Sequence, residues 1–132
     1  GMVGFPHGYT NSAHPVACAA GLASLDLLST DNLLEKVRAL APKLESAVHS
    51  LRGAPFVTDI RNYGLAAGIT LEAYEGEPLR RPFELGLKCL EKGFYVRWGG
   101  DTIQLAPQFI STPDQIDALV NAIGESLHEL GT

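Results

Sequence analysis

Residues 94–106 have the sequence FYVRWGGDTIQLA, in which two runs rich in β-branched and aromatic residues flank the loop Gly99-Gly100-Asp101. A short glycine loop between two such runs is typical of a β-hairpin. Successive side chains of a strand point to opposite faces, so Arg97 is predicted to lie opposite the apolar face of the first strand. That apolar face carries Phe94, Val96 and Trp98.

The neighbouring segments predict helices around a small number of strands. Residues 56–61 and 65–72 look like a second pair of strands. Residues 82–92 have a helical pattern that Gly93 would cap, and residues 112–115 form a capping box before a final helix. The order indicates an α+β fold in which a small antiparallel or mixed sheet is covered by helices.

The N-terminal part of the chain has a different character. Residues 5–14 are rich in turn formers and predict a loop. Residues 15–28 are continuously apolar or small, which favours a buried helix. A second helix with an amphipathic stripe follows over residues 33–51, and Pro42 within it is expected to kink or briefly break that helix.

The length of 132 residues is that of one ordinary globular domain, so a single domain over residues 1–132 is predicted. It would consist of the loop at 5–14, a helical segment at 15–53 and an α+β sandwich at 54–132.

The composition excludes several classes of protein. The net charge of −5 is acidic, whereas nucleic-acid binding needs a basic surface, so no nucleic-acid partner is expected. No apolar run approaches the roughly 18 residues of a membrane span, so no membrane association is expected. Cys18 and Cys89 do not make a disulfide framework, which favours a reducing, cytoplasmic compartment.

Three places carry residue types suited to ligand chemistry. Arg97 can present its planar guanidinium to a carboxylate, and the adjacent glycines would leave room for the ligand; a structural salt bridge or a solvated arginine is the alternative. The hydroxyls and amides of residues 7–12 precede a helix start and suit a phosphate, with ordinary capping as the alternative. His14 and Cys18 are four residues apart, but two ligands do not make a zinc site, so no metal is expected.

Three ordered motifs resemble the class III pyridoxal-phosphate aminotransferases. They are HGYTNSAHPVACAAGLA at 7–23, DIRNYGLAAGI at 59–69 and GFYVRWGGDTIQLAPQFISTPDQID at 93–117. Within that family, the chain is most similar to the omega-amino acid–pyruvate transaminases, also called beta-alanine–pyruvate transaminases. The resemblance extends from residue 5 to about residue 130, and it implies the C-terminal domain of a fold-type I pyridoxal-phosphate-dependent transferase.

The resemblance implies roles for three residues. Thr10 matches the threonine that binds the cofactor phosphate in the active site of the neighbouring subunit, and Tyr9 beside it would line the same pocket. Arg97 matches the arginine that holds the substrate's α-carboxylate. The family's HGYTYSGHP pattern is altered here, because Asn11 replaces a tyrosine and Ala13 replaces a glycine.

The resemblance also implies a larger enzyme. In the family, a lysine that precedes the HGYT motif forms a Schiff base with pyridoxal 5'-phosphate. The lysines of this chain all fall on predicted amphipathic helices, away from the cofactor motif; they are Lys36, Lys43, Lys88 and Lys92. We therefore expect a C-terminal domain or fragment that lacks the large lysine-bearing domain, has no catalytic residue of its own and does not bind the cofactor covalently.

The whole enzyme would move an amino group between an omega-amino acid or amine and a keto acid such as pyruvate. Its partners would be these small molecules and a second copy of the chain, in a homodimer or other self-association. The alternative is a non-catalytic oligomerisation module or a remnant without activity of its own.

Overall fold

The computed structural model describes residues 9–130 of the chain. The elements within this range are α1 (Pro15–Thr30), α2 (Leu33–His49), β1 (Val57–Tyr63), β2 (Ala66–Leu71), α3 (Arg80–Glu91), β3 (Arg97–Gly99), β4 (Thr102–Leu105) and α4 (Pro113–Leu130). Contacts divide the chain into two compact units, Gly1–Leu33 and Leu34–Thr132, whereas the length predicts one domain. None of the helices between residues 9 and 130 has both the length and the apolar content needed to cross a membrane.

The first unit contains α1, which begins with a proline at its first turn as the sequence predicts. None of the residues of α1 is buried, and Leu22 and Leu25 are 64% and 62% exposed. The prediction of a buried helix is therefore wrong for this chain. The physical reason is that an apolar composition indicates a preference for an apolar neighbour but does not supply one.

The second unit contains a four-stranded sheet with the order β1-β2-β4-β3, in which each pair of neighbours is antiparallel. Two hairpins form it, and they join through β2 and β4. Gly64 and Gly100 occupy the hairpin loops with φ values of 55° and 63°, which glycine adopts without steric cost. The predicted α+β fold with a small antiparallel sheet is confirmed.

The core of the second unit lies between one face of this sheet and the helices α2, α3 and α4. Fully buried side chains from each layer meet there, among them Leu44, Val48, Ile69, Leu85, Ile103, Ile123 and Leu127. The helix α2 continues through Pro42, so it does not break there, and the other expected effect, a kink, stays a prediction. Burial of Leu44 and Val48 on the following turns contributes about 1.5–3 kcal/mol each and offsets the roughly 3 kcal/mol that a proline costs within a helix.

Helix caps fix the chain on both sides of the hairpin β3–β4. At the end of α3, Gly93 has a φ of 88° and the Phe94 N–H donates to the carbonyl oxygen of Cys89 at 2.9 Å, as in a Schellman cap. At the start of α4, the Thr112 N–H donates to Gln115 Oε1 at 2.9 Å, and the Gln115 N–H donates to Thr112 Oγ1 at 3.2 Å. Both predicted caps are confirmed, and they anchor the segment that carries Arg97.

Candidate functional site

The face of the sheet opposite the core carries a row of four residues, one from each strand. Arg61 pairs with Gly68, Gly68 with Gln104, and Gln104 with Arg97. Directly opposed residues of antiparallel strands point their side chains to the same face, with Cβ atoms roughly 5 Å apart. Two arginines, Arg61 and Arg97, therefore share this face, and they differ in their hydrogen-bond partners.

Arg61 is bound within the sheet. Its Nη1 donates to Asp59 Oδ2 at 2.7 Å and to Thr70 Oγ1 at 2.8 Å. The guanidinium lies close over Gly68, where an added Cβ would be 3.4 Å from the Arg61 Cζ atom. Asp59 neutralises the charge of Arg61, and both partners of Arg61 lie within the sheet. Arg61 therefore stabilises the sheet and is not available to bind a ligand.

Arg97 is exposed on β3, an edge strand, and its guanidinium makes no hydrogen bond or ion pair with any residue between 9 and 130. The salt bridge that the sequence left open is therefore not formed within the described part of the chain. Arg97 lines a groove of about 520 Å³ together with Tyr95 and Gln104. The rest of the lining is mostly apolar, with Ala66, Ala67, Leu105, Ala106, Pro107 and Leu119. A guanidinium with its N–H donors unused, at the edge of an apolar groove, suits a small carboxylate.

The glycines beside Arg97 are predicted to leave room for a ligand, and the structure shows what lies next to each of them. A Cβ atom at Gly99 would clash with Nε2 of Gln104, so the Gln104 carboxamide occupies the space above this glycine in this structure. Gly100 is required by its positive φ in the loop. No sequence pattern marks Gln104, because its place beside Arg97 depends on the register between β3 and β4.

Tyr9 and Thr10 belong to the first unit, at a turn that precedes α1. Residues 5–8 of the predicted phosphate loop lie outside the described residues. Tyr9 and Thr10 are both exposed, and the Ser12 N–H donates to the Tyr9 carbonyl oxygen at 3.1 Å. The Thr10 hydroxyl has no hydrogen-bond partner among residues 9–130, and no side chain caps the start of α1. This donor set suits an oxyanion such as a phosphate.

His14 and Cys18 lie one helical turn apart, since the Cys18 N–H donates to the His14 carbonyl oxygen at 2.9 Å. Within the described range, no group of three or more His, Cys, Asp or Glu side chains is arranged to hold a metal ion. The absence of a metal from the protein stays a prediction.

The lysines of the second unit have structural surroundings. Lys43 Nζ is 2.5 Å from Asp117 Oδ2, and Lys88 Nζ is 3.5 Å from Glu129 Oε2. Lys92 donates to Glu129 Oε1 at 2.7 Å, and this hydrogen bond raises the pKa of Lys92 and lowers the pKa of Glu129. A lysine that forms Schiff bases needs a lowered pKa, so the surroundings of Lys92 are of the opposite kind.

Comparison with known proteins identifies the family. The model of the class-III aminotransferases matches residues 2–127. The chain is 54% identical over 126 residues to the beta-alanine–pyruvate aminotransferase of Pseudomonas aeruginosa. The aligned region covers 96% of this chain and 28% of that protein. It is 53% identical over 128 residues to the omega-amino acid–pyruvate aminotransferase of Pseudomonas putida, with 97% of this chain and 28% of that protein covered.

Solved structures agree with the sequence comparison. An omega-aminotransferase from Paracoccus denitrificans superposes with a TM-score of 0.85 at 28% identity, over 96% of this chain and 30% of that one. A pyridoxamine-phosphate-bound aminotransferase from Vibrio fluvialis superposes with a TM-score of 0.83 at 28% identity, over 97% of this chain and 30% of that one. The chain thus spans just over a quarter of the length of its curated relatives. The matched motifs, the antiparallel α+β fold and these similarities together show that the chain belongs to the class-III aminotransferase family.

Proposed function

We propose that this chain is the C-terminal part of an aminotransferase subunit that moves an amino group between an omega-amino acid or amine and a keto acid such as pyruvate. The observation that carries the proposal is Arg97, whose guanidinium has no partner in the described residues and borders a groove of about 520 Å³. The names of the relatives from two Pseudomonas species support the substrate class.

Arg97 would bind the carboxylate of the amino or keto acid through two parallel N–H···O hydrogen bonds. Such a bidentate contact fixes the direction of the acid as well as neutralising its charge. A hydrogen bond to a charged group contributes roughly 1.5–3 kcal/mol, and holding the acid in one orientation directs its other end toward the reacting centre. The apolar lining of the groove would exclude water from the carbon chain of the acid.

Pyridoxal 5'-phosphate, when bound in the whole enzyme, supplies the electron sink for the transfer of the amino group. Thr10 would donate its hydroxyl hydrogen to the phosphate of a cofactor held by the neighbouring subunit, and Tyr9 would line the same pocket. This arrangement requires a two-fold dimer, and the exposed apolar residues of α1 provide a surface for association. The two free cysteines, Cys18 and Cys89, support a reducing cytoplasmic location.

The lysine that carries the cofactor would be supplied by sequence outside this chain, since its own lysines lie on helices and three of them are in ion pairs. The chain by itself would then have no transaminase activity. The alternative is a non-catalytic oligomerisation module, and the one observation in its favour is that no residue of α1 is buried.

The test is an assay of the complete subunit that contains these residues. With pyridoxal phosphate, 3-aminopropanoate and pyruvate, we expect alanine to form, and Arg97→Ala to reduce kcat/KM for pyruvate at least tenfold with no change in melting temperature. Arg38→Ala is the matched control, because it removes a guanidinium from an exposed position on α2. Equal activity of the two variants would overturn the assignment of Arg97.

A further inference from the structure

We propose that Gln104 is a second recognition residue of this carboxylate site, and that its side-chain amide donates a hydrogen bond to the same acid group that Arg97 binds. The inference rests on the proposed function, because it takes Arg97 as the primary carboxylate ligand. Gln104 lies within β4, and the resemblance to the family implies no role for it.

The position of Gln104 follows from the sheet. It is paired directly with Arg97 across β3 and β4, so both side chains rise from the same face at neighbouring positions. The residues on either side of it in the strand, Ile103 and Leu105, are buried toward the core, whereas Gln104 is exposed. Both Arg97 and Gln104 line the groove of about 520 Å³.

Gly99 leaves room for the carboxamide of Gln104. The amide lies over the backbone of Gly99, where any side chain would clash with Nε2 and would come within 3.4 Å of Cδ. Gly99 pairs with Thr102 at the end of β3, two residues beyond Arg97 on the same face of the strand. The absence of a Cβ atom at this position therefore lets a polar group settle beside Arg97.

The hydrogen-bonding capacity of Gln104 is unused within residues 9–130. Its carboxamide has two N–H donors, and the guanidinium of Arg97 has five. A carboxylate offers about four lone-pair sites, of which a bidentate arginine takes two. Gln104 can supply a third donor to the acid group without adding charge. The ligand class that this arrangement favours is a small free acid, over its neutral amide.

The experiment is a titration of the complete subunit that contains these residues, labelled with ¹⁵N, with pyruvate and separately with pyruvamide. NMR spectra would follow the side-chain N–H signals of Arg97 and Gln104. We expect pyruvate to shift both signals and pyruvamide to shift neither. Gln104→Leu should raise the dissociation constant for pyruvate about tenfold, near the lower end for a hydrogen bond to a charged group. Gln104→Glu has nearly the same size, and it should raise the constant further because it places a carboxylate against the acid.

Gly99→Ala tests the position of the amide without removing it. It should weaken pyruvate binding by displacing the carboxamide, while Asn121→Ala on α4, outside the groove, should leave the binding unchanged. If pyruvate shifts the Arg97 signal but the Gln104 variants have the same dissociation constant for pyruvate as the parent, this inference is wrong and the proposed role of Arg97 stands. If pyruvate shifts neither side chain, the role of Arg97 is overturned as well. Unchanged melting temperatures of the Gln104 variants would show that the effect is on binding rather than on folding.

Discussion

Replacing Arg81 by methionine should lower the free energy of unfolding of the second unit by about 3 kcal/mol. Arg81 lies in the first turn of α3 and is only 5% exposed. Its Cζ atom is 3.6 Å from the ring centroid of Phe56 and 4.2 Å from that of Tyr74, and its Nε donates to the carbonyl oxygen of Glu72 at 2.6 Å. The guanidinium therefore joins two segments of the chain that precede α3, one just before β1 and one just after β2.

The magnitude follows from these contacts. The charge-assisted hydrogen bond is worth about 2 kcal/mol, and each cation–π contact with these half-buried rings about 1 kcal/mol. Methionine would keep much of the apolar packing of the side-chain stem. It would also remove the buried Nη1 of Arg81, which has no hydrogen-bond partner among residues 9–130 and costs about 1 kcal/mol to bury, so this change offsets part of the loss. Phe56, whose φ is 66°, would lose the stacked partner that helps to hold this strained conformation.

Urea denaturation followed by tryptophan fluorescence would measure the change, because Trp98 belongs to the partly buried layer of the same core. The control is Arg80→Met, one residue earlier. Arg80 forms ion pairs with Glu77 and Glu84 that raise its pKa, but its side chain is 55% exposed, so solvent screens these contacts. We expect a much smaller loss for this control. Equal losses for the two variants would refute the argument that the sandwiched guanidinium stabilises the fold.

Four further predictions concern function and assembly. The isolated chain should give no alanine from 3-aminopropanoate and pyruvate above a control with pyridoxal phosphate alone; saturable turnover would contradict this. Light scattering should show that the chain self-associates, because Leu22 and Leu25 on α1 are exposed. Polar replacement of these two leucines should shift the chain toward a monomer. A parent chain that stays monomeric at high concentration would contradict this prediction. In the complete subunit, Arg97→Lys should raise KM for pyruvate with the melting temperature unchanged, because lysine keeps the charge but loses the planar fork. A disulfide reagent at mildly alkaline pH should modify exposed Cys18 quickly and Cys89 slowly, because burial raises the pKa of the Cys89 thiol; equal rates would show that α3 opens easily.

Local patterns predicted the hairpin β3–β4, both of its flanking caps and the final helix α4, because each depends on residues close together in the chain. The Thr112–Gln115 bonds and the cap at Gly93 are of this kind. Arg97 could be assigned to a strand face for the same reason. That Arg97 has no partner between residues 9 and 130 could not be predicted, since that depends on residues brought near it by β2 and β4.

The predictions that differ from the structure all involve contacts between distant segments. Composition predicts that α1 prefers an apolar neighbour, but it does not say where that neighbour comes from. The effect of Pro42 depends on how firmly the rest of α2 is buried. The group that lies over Gly99 depends on the pairing of Gln104 with Arg97. The contacts of Arg81, which no sequence pattern predicts, depend on loops that have no periodic pattern.

The register shift between Val57 and Asp59 in β1 affects how copies of this chain can associate. β1 is an outer strand of the sheet, and an outer strand can template the addition of another chain. The irregular pairing twists that edge, and the charged pair formed by Asp59 and Arg61 on the same strand makes a second strand a poor fit. Association is therefore expected to stop at discrete oligomers instead of extending into fibrils, so the concentrated chain should not enhance thioflavin T fluorescence.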